Sequence, residues 1–456
     1  MYKNFVSAIT WNSINVFMYK VILLLHQIVL YYFISHELYG VSGTLFAALY
    51  LLIGCTNFGF EYSLFTFFAY YTKNRHNFKY LLYQCALKVM STLIVAGIVY
   101  IGMQITVDSS QTGSLFLYKL PIKLIPYLLA IFIAESIRKY LETIAQLAFL
   151  NKKITLIQIS MISSYVILVW TGYWIYGTIS LQTIFIPMII TSCTEVLLTI
   201  ASLYSWYETL PHTSNIDDTS SLCSLNIARE QFYNYINQLS KNLFSPNFLM
   251  VLIAYHVSMQ QTGSIRFFTN IITLLYMLLN RSIAIPSGAL FSSVTQETFA
   301  KTKQFFLIIT NAYIQFLYAL AIIITTTITT HLIMTYQSAE PQVINLVLLF
   351  TLAGFIEYIT ITYEKLYIVQ HKTHQLALIN ASSAFIFLSI MYTLPLSASL
   401  FLLPMCIIRM VTAYLIGLYA YAQWDIRPQL QISFKAFFYG LTASLALNLI
   451  VIIRNL

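Results

Sequence analysis

The chain has 456 residues, 59% of them hydrophobic and only 9% charged, against about 25% charged in an average soluble domain. A soluble fold has no interior large enough to hide that much apolar surface, whereas lipid accommodates it. The formal net charge is +9, yet the basic residues form neither a tract nor a stripe, which argues against nucleic acid as a partner. Cys55, Cys85, Cys193, Cys223 and Cys406 stand far apart with no metal-ligand spacing, so no disulfide framework, metal or cofactor is expected.

A hydrocarbon core about 30 Å thick takes roughly 20 helical residues. By that measure the chain predicts spans near 7–34, 41–70, 80–105, 121–149, 154–176 and 180–206. The first follows Met1-Tyr2-Lys3 directly and reads as a retained span rather than a cleaved signal. The longest polar stretch, Glu208 to Asn226, then separates these from spans near 230–257, 263–291, 303–333, 342–370, 375–394 and 396–422. The predicted organisation is a six-helix half over 1–207, a cytoplasmic linker over 208–229 and a second six-helix half over 230–424. A further hydrophobic segment follows over 425–456, with an apolar run from Ile432 to Ile453.

With the N-terminus in the cytoplasm, twelve loop lysines and arginines fall inside and four outside, the four being Lys119, Lys123, Arg266 and Arg454. That asymmetry predicts a multi-pass protein of the cell (inner) membrane with a cytoplasmic N-terminus. The outer loops are short, which leaves no room for an extramembrane catalytic domain.

An internal repeat runs through the chain. Trp11-Asn12-Ser13-Ile14-Asn15 matches Tyr233-Asn234-Tyr235-Ile236-Asn237 at an offset of 222 residues, and Gly40 matches Gly263 within one residue of that offset. Asn151-Lys152-Lys153 matches His371-Lys372-Thr373 after the fourth span of each half. Six spans per half give both halves the same direction of entry, hence a parallel repeat about an axis along the membrane normal.

Each first helix carries a polar stripe. Asn12, Ser13, Asn15, Tyr19, Lys20, His26 and Gln27 share one arc of the first span, and Asn234, Asn237, Gln238, Lys241, Asn242 and Ser245 share one arc of the seventh. Lipid penalises such stripes, so they face protein or a watery cavity. Lys20 at mid-span costs at least ~2.5–3.5 kcal/mol on insertion scales, which points to a cavity wall or a structural ion pair. Lys241 lies nearer the cytoplasmic end, where snorkelling competes with substrate contact. Arg281 and Arg409 are candidate anion ligands because a guanidinium forks onto phosphate; pairing with an acidic neighbour is the alternative for Arg409. The substrate-binding candidates are therefore Lys20, Lys241, Arg281, Arg409, Asn12, Asn15, Asn234 and Asn237. The candidates for ion or proton coupling are Glu135, Glu357, His26 and Glu61. Glu135 and Glu357 are separated by the repeat offset, but Glu135 has Arg138 and Lys139 at i+3 and i+4, so a local ion pair is equally open. Glu142 and Glu364 read as interfacial. Pro126, Pro187, Pro246, Pro286 and Pro404 mark places where span helices bend.

Lys3-Asn4-Phe5 precedes the first helix, Glu37-Leu38-Tyr39-Gly40 stands at the first outer turn and Asn57-Phe58-Gly59-Phe60 late in the second span. In these motifs and their order the chain resembles the Wzx-type polysaccharide flippases of the MOP superfamily, to which MurJ and the MATE transporters also belong. The resemblance covers roughly residues 1–424; the thirteenth span departs from a twelve-helix core. It implies an all-α polytopic fold of two parallel six-helix repeats plus an additional C-terminal helix. It also implies a monomer that moves a polyprenyl-diphosphate-linked oligosaccharide from the inner to the outer leaflet by alternating access. Expected partners are that lipid-linked substrate, membrane lipid, and the glycan polymerase and glycosyltransferases of the same route. Two rivals remain open. A MATE-like, cation-coupled exporter of small molecules requires an acid-dominated cavity. A membrane glycosyltransferase or polymerase requires more outer-loop chemistry than Asp108 and Glu340 offer, so no enzyme activity is expected.

Overall fold

The computed structural model describes residues 2–73, 75–109, 124–211, 224–256, parts of 259–270, 372–393 and 398–424, with Ile323, Glu364, Tyr367, Ile368, Gln370 and Thr442 described singly. Among these residues every regular element is a helix: α1 (Tyr2–Phe33), α2 (His36–Cys55), α3 (Phe60–Tyr71), α4 (Arg75–Ser109), α5 (Ile125–Leu147), α6 (Asn151–Tyr176), α7 (Leu181–Tyr207), α8 (Ser224–Asn242), α9 (Pro246–His256), α10 (Thr373–Thr393) and α11 (Ala398–Trp424). Seven of the described helices are long and apolar enough to cross a membrane. The predicted spans 303–333 and 342–370, most of 263–291 and the C-terminal run 432–453 lie outside the described residues, as do Arg281, Pro286 and Glu357.

The helices are apolar on the outside and polar within. Leu82, Met90, Ile94, Ile98 and Ile101 are exposed along α4, and Ile167, Trp174 and Ile175 along α6. Amides, hydroxyls and ionised groups are buried instead, as a lipid solvent requires. The extreme case is α5. Four charged residues, Glu135, Arg138, Lys139 and Glu142, remove it from the set of plainly apolar spans, and three of them are buried. Glu142 is thus a correction: it is an interior group paired with Arg138, not an interfacial one.

The two halves repeat one pairing of helices. α1 packs along α6, where Asn15 Nδ2 donates to Gln158 Oε1 at 2.5 Å; α8 packs along α10, where Asn380 Nδ2 donates to Asn237 Oδ1 at 2.7 Å. Both bonds join residues 143 apart, so the register read from Asn15 and Asn237 extends to their partners. The repeat also meets itself across the interface. A Cβ added at Gly40 would lie 2.0 Å from the Met259 carbonyl oxygen, and one at Gly263 would lie 2.5 Å from the His36 carbonyl oxygen. The two matched glycines allow the start of α2 and the 259–270 segment to cross backbone against backbone.

Two expected single spans are broken. The 41–70 span divides into α2 and α3 at residues 56–59, where Phe58 (φ 49°) and Gly59 (φ 76°) take left-handed conformations. Gly59 suits this φ at no steric cost, and a Cβ there would also meet the Gln231 carbonyl oxygen at 2.2 Å. The 230–257 span divides at residues 243–245. Ser245 Oγ accepts the Phe248 amide at 3.2 Å and Pro246 opens α9, so Ser-Pro acts as a cap and first-turn pair rather than as a bend in one helix. Pro126 likewise sits in the first turn of α5, while Pro187 and Pro404 lie inside α7 and α11. The polar linker is shorter than its composition suggests, because α8 already begins at Ser224.

Candidate functional site

A cavity of about 320 Å³ opens among α1, α2, α5, α6 and α7, and is closed on its remaining side by α9 and by Arg266 and Asn270. Among the described residues the first half builds most of the wall, and the second half contributes Pro246, Asn247, Met250, Arg266 and Asn270. α1 contributes Tyr19, Lys20, His26 and Gln27; α2 contributes Tyr39, Phe46 and Tyr50. Asn270 Nδ2 donates to Gln27 Oε1 at 2.7 Å, joining the halves across the cavity.

Three cations on this wall share one arrangement. Lys20 Nζ lies 5.9 Å from the Tyr19 ring centroid, Lys139 Nζ 4.6 Å from that of Tyr50, and the Arg266 guanidinium 5.5 Å from Tyr39 and 5.8 Å from Phe46. An aromatic face attracts a cation and leaves its charge in place, so the three rings position positive charge along the cavity wall. Gly43 makes room for Arg266: a Cβ there would fall 1.8 Å from Nη1.

Among the described residues the cavity also carries two carboxylates, and both are bonded to Arg138. Its Nε and Nη2 donate to the two Glu135 oxygens at 2.9 and 2.8 Å, and its Nη1 donates to Glu195 Oε1 at 3.0 Å. Glu135 also accepts Ser192 Oγ at 2.7 Å and Tyr50 Oη at 3.3 Å. Gln158 Nε2 donates to Glu195 Oε1 at 3.0 Å and links this group to Asn15 on α1. A buried guanidinium with hydrogen-bonded carboxylates is stable only as a complete set, so this network fixes α5 to α7 and α6 to α1.

Of the residues singled out by sequence, Lys20, His26 and Glu135 line the cavity. The others do not. Asn12 and Asn15 are buried away from it, with Asn15 committed to α6. Asn234 and Asn237 are fully buried on α8. Lys241 is bound to Glu364 at 2.5 Å, which accounts for both charges as a structural pair. Arg409 is buried, donates to Asn380 Oδ1 at 3.2 Å and lies 5.1 Å from the Phe244 ring centroid; it belongs to the helix packing of the second half. Glu61 is half-buried in α3 and is not a wall residue. Within the α1 stripe, Tyr19, Lys20, His26 and Gln27 face the cavity, and Asn15 makes the α1–α6 contact.

Sequence reading assigned Arg266 to an outer loop, and it passed over Lys139 as a surface partner of Glu135. Both stand on the cavity wall. For Lys139 the signal was available, since a fourth charge in one span has no lipid-facing solution. For Arg266 no local signal exists, because its place is set by Gly43 on another helix.

No protein-family model and no curated protein sequence matches the chain. Its fold is nevertheless similar to solved structures. One is a MOP superfamily transporter from Pyrococcus furiosus, described as having a binding pocket of reversed polarity: TM-score 0.68, 12% identity, covering 94% of this chain and 96% of that one. A second is a variant of the Vibrio cholerae MATE transporter VcmN, with TM-score 0.64, 11% identity and coverage of 95% and 98%. A third is a multidrug resistance MATE family transporter in an outward-facing conformation, with TM-score 0.63, 13% identity and coverage of 93% and 95%. At these identities the likeness establishes the fold, an integral membrane bundle of repeated helices, and leaves function to the site.

Proposed function

We propose that this chain is an alternating-access membrane transporter whose cargo is anionic, and that the cargo is a polyprenyl-diphosphate-linked oligosaccharide moved from the inner to the outer leaflet. The observation that carries this reading is the charge of the cavity. Among the described residues its carboxylates, Glu135 and Glu195, are bonded to Arg138, and Lys20, Lys139 and Arg266 lie against aromatic rings. An anionic diphosphate suits such a wall, and the tyrosines, Gln27, Asn247 and Asn270 suit sugar hydroxyls. The lipid tail remains in the bilayer as the halves separate. The asymmetry of loop lysines and arginines supports a cytoplasmic N-terminus in the inner membrane.

A second reading, export of small organic cations, draws on the MATE neighbours and the aromatic wall. Two cargoes separate them in one preparation. In vesicles reconstituted with the full chain, a fluorescent polyprenyl-diphosphate oligosaccharide should reach the opposite leaflet, and a lipophilic organic cation should not be driven across. The reverse pattern would replace the first reading with the second.

A further inference from the structure

His26 is the buried group on the cavity wall whose hydrogen bonding is incomplete in an informative way. It lies in α1, six residues beyond Lys20, and is only 4% exposed. Trp170 Nε1 of α6 is 3.2 Å from His26 Nδ1. An indole N–H donates and never accepts, so Nδ1 must be the bare, accepting nitrogen. A neutral imidazole carries one N–H, which places the proton on Nε2. That atom is buried and has no partner among the described residues. Protonating the ring would put a second N–H at Nδ1, against the indole donor, and would break the Trp170 bond. Tyr165 and Trp170 present their rings edge-on to the imidazole at 5.4 and 6.0 Å and hold its plane.

A buried donor left unpaired is costly, and one held in place by a neighbouring tryptophan is preorganised for an acceptor that arrives from the cavity. We propose that His26 is a cargo-binding residue, fixed by Trp170 as the neutral Nε2–H tautomer, whose N–H recognises an acceptor oxygen of the cargo headgroup. It differs from Lys20 and Arg266 in reading an oxygen's lone pair rather than a net charge, so it adds specificity to a wall that otherwise selects on charge. A role for His26 in carrying protons does not fit this geometry, because uptake at Nδ1 is blocked by the indole. The cargo side of the proposal rests on the transporter reading; the tautomer does not.

The test uses full-length protein in lipid nanodiscs with ¹⁵N-labelled histidine, the His26 signals being assigned by their loss in His26→Gln. In the protein alone, Nε2 should be protonated and Nδ1 bare, and Trp170→Phe should release the Nδ1–H form. An Nδ1–H ring in the wild type overturns the proposal without bearing on transport. Inorganic pyrophosphate and a soluble neutral oligosaccharide are then added separately. A shift of the Nε2–H signal with pyrophosphate assigns the donor to phosphate oxygen, and a shift with the oligosaccharide assigns it to a sugar oxygen. Neither probe moving it overturns the donor role. For the probe that binds, His26→Leu should weaken affinity about tenfold, whereas His26→Gln, which keeps an N–H near the Nε2 position, should stay within about threefold. Equal losses in the two variants, at matched melting temperature, would make the residue structural and sink the idea. A binding loss confined to His26→Leu alongside a blank flipping assay would retain the donor and reject the lipid-linked cargo.

Discussion

Single side chains in this protein are sorted by what satisfies them. Arg138 gathers Glu135 and Glu195 by direct hydrogen bonds, with Glu142 at 3.5 Å. Spacing alone foretells the Glu135–Arg138 pair, since i and i+3 meet on a helix surface. It cannot foretell Glu195, which comes from α7 and is 57 residues away. The consequence is testable. Arg138→Leu leaves buried carboxylates without their cation, a loss of about 3–5 kcal/mol, read as a lower unfolding temperature in detergent. Adding Glu135→Gln and Glu195→Gln to that variant should recover part of the loss, because neutral amides need no counter-charge. A melting temperature unchanged in Arg138→Leu alone would mean that the network contributes nothing. Lys20 is the one cation of the cavity wall that sequence identified for that role, because mid-span depth is visible in a hydropathy trace. Arg266 is its opposite, a cation near a span end whose inward position depends on Gly43.

At the scale of helices, hydropathy finds the crossing segments and misses the interruptions within them. Residues 41–70 are continuously apolar, yet the chain turns at Phe58 and Gly59 because two left-handed residues and an approach by α8 fit there. Asn57 Nδ2 then donates to Gln238 Oε1 at 3.1 Å, and Gln231 Nε2 to Gln84 Oε1 at 2.8 Å, so the break becomes a polar contact between the halves. The Ser245-Pro246 break was legible as a cap in principle, but a proline inside an apolar run reads equally well as a kink. The contact at the start of α2 is of another kind, a backbone crossing at Gly40 and Gly263. A side chain at Gly40 meets the Met259 carbonyl, and backbone has no rotamer with which to yield. Gly40→Val should therefore part the halves at this crossing while each half remains folded. Labelling of a cysteine placed at Gln27 by a membrane-impermeant thiol reagent, in a background lacking the native cysteines, should rise severalfold. Unchanged labelling with an unchanged melting temperature would show that the crossing does not close the cavity.

For the whole molecule, composition and the repeat point to a two-fold helical membrane bundle, and the fold is similar to that of MOP superfamily transporters over more than nine-tenths of each chain. The site was only partly legible. A repeated sequence suggests two equivalent polar stripes, but among the described residues Lys20 and His26 of α1 line the cavity, whereas on α8 Asn237 binds Asn380 and Lys241 binds Glu364. Which residues of a repeat line a cavity and which ones pack depends on partners far away in sequence. The central claim is that the cations on the cavity wall carry an anionic lipid headgroup. Its most direct test is the rate at which a polyprenyl-diphosphate oligosaccharide appears in the opposite leaflet, compared between wild type and Lys20→Ala at equal protein level and equal melting temperature. The account predicts a fall of about tenfold or more, since a charge-assisted hydrogen bond contributes about 1.5–3 kcal/mol. A rate equal to wild type would remove Lys20 from the site and contradict the charge-based account of the cavity.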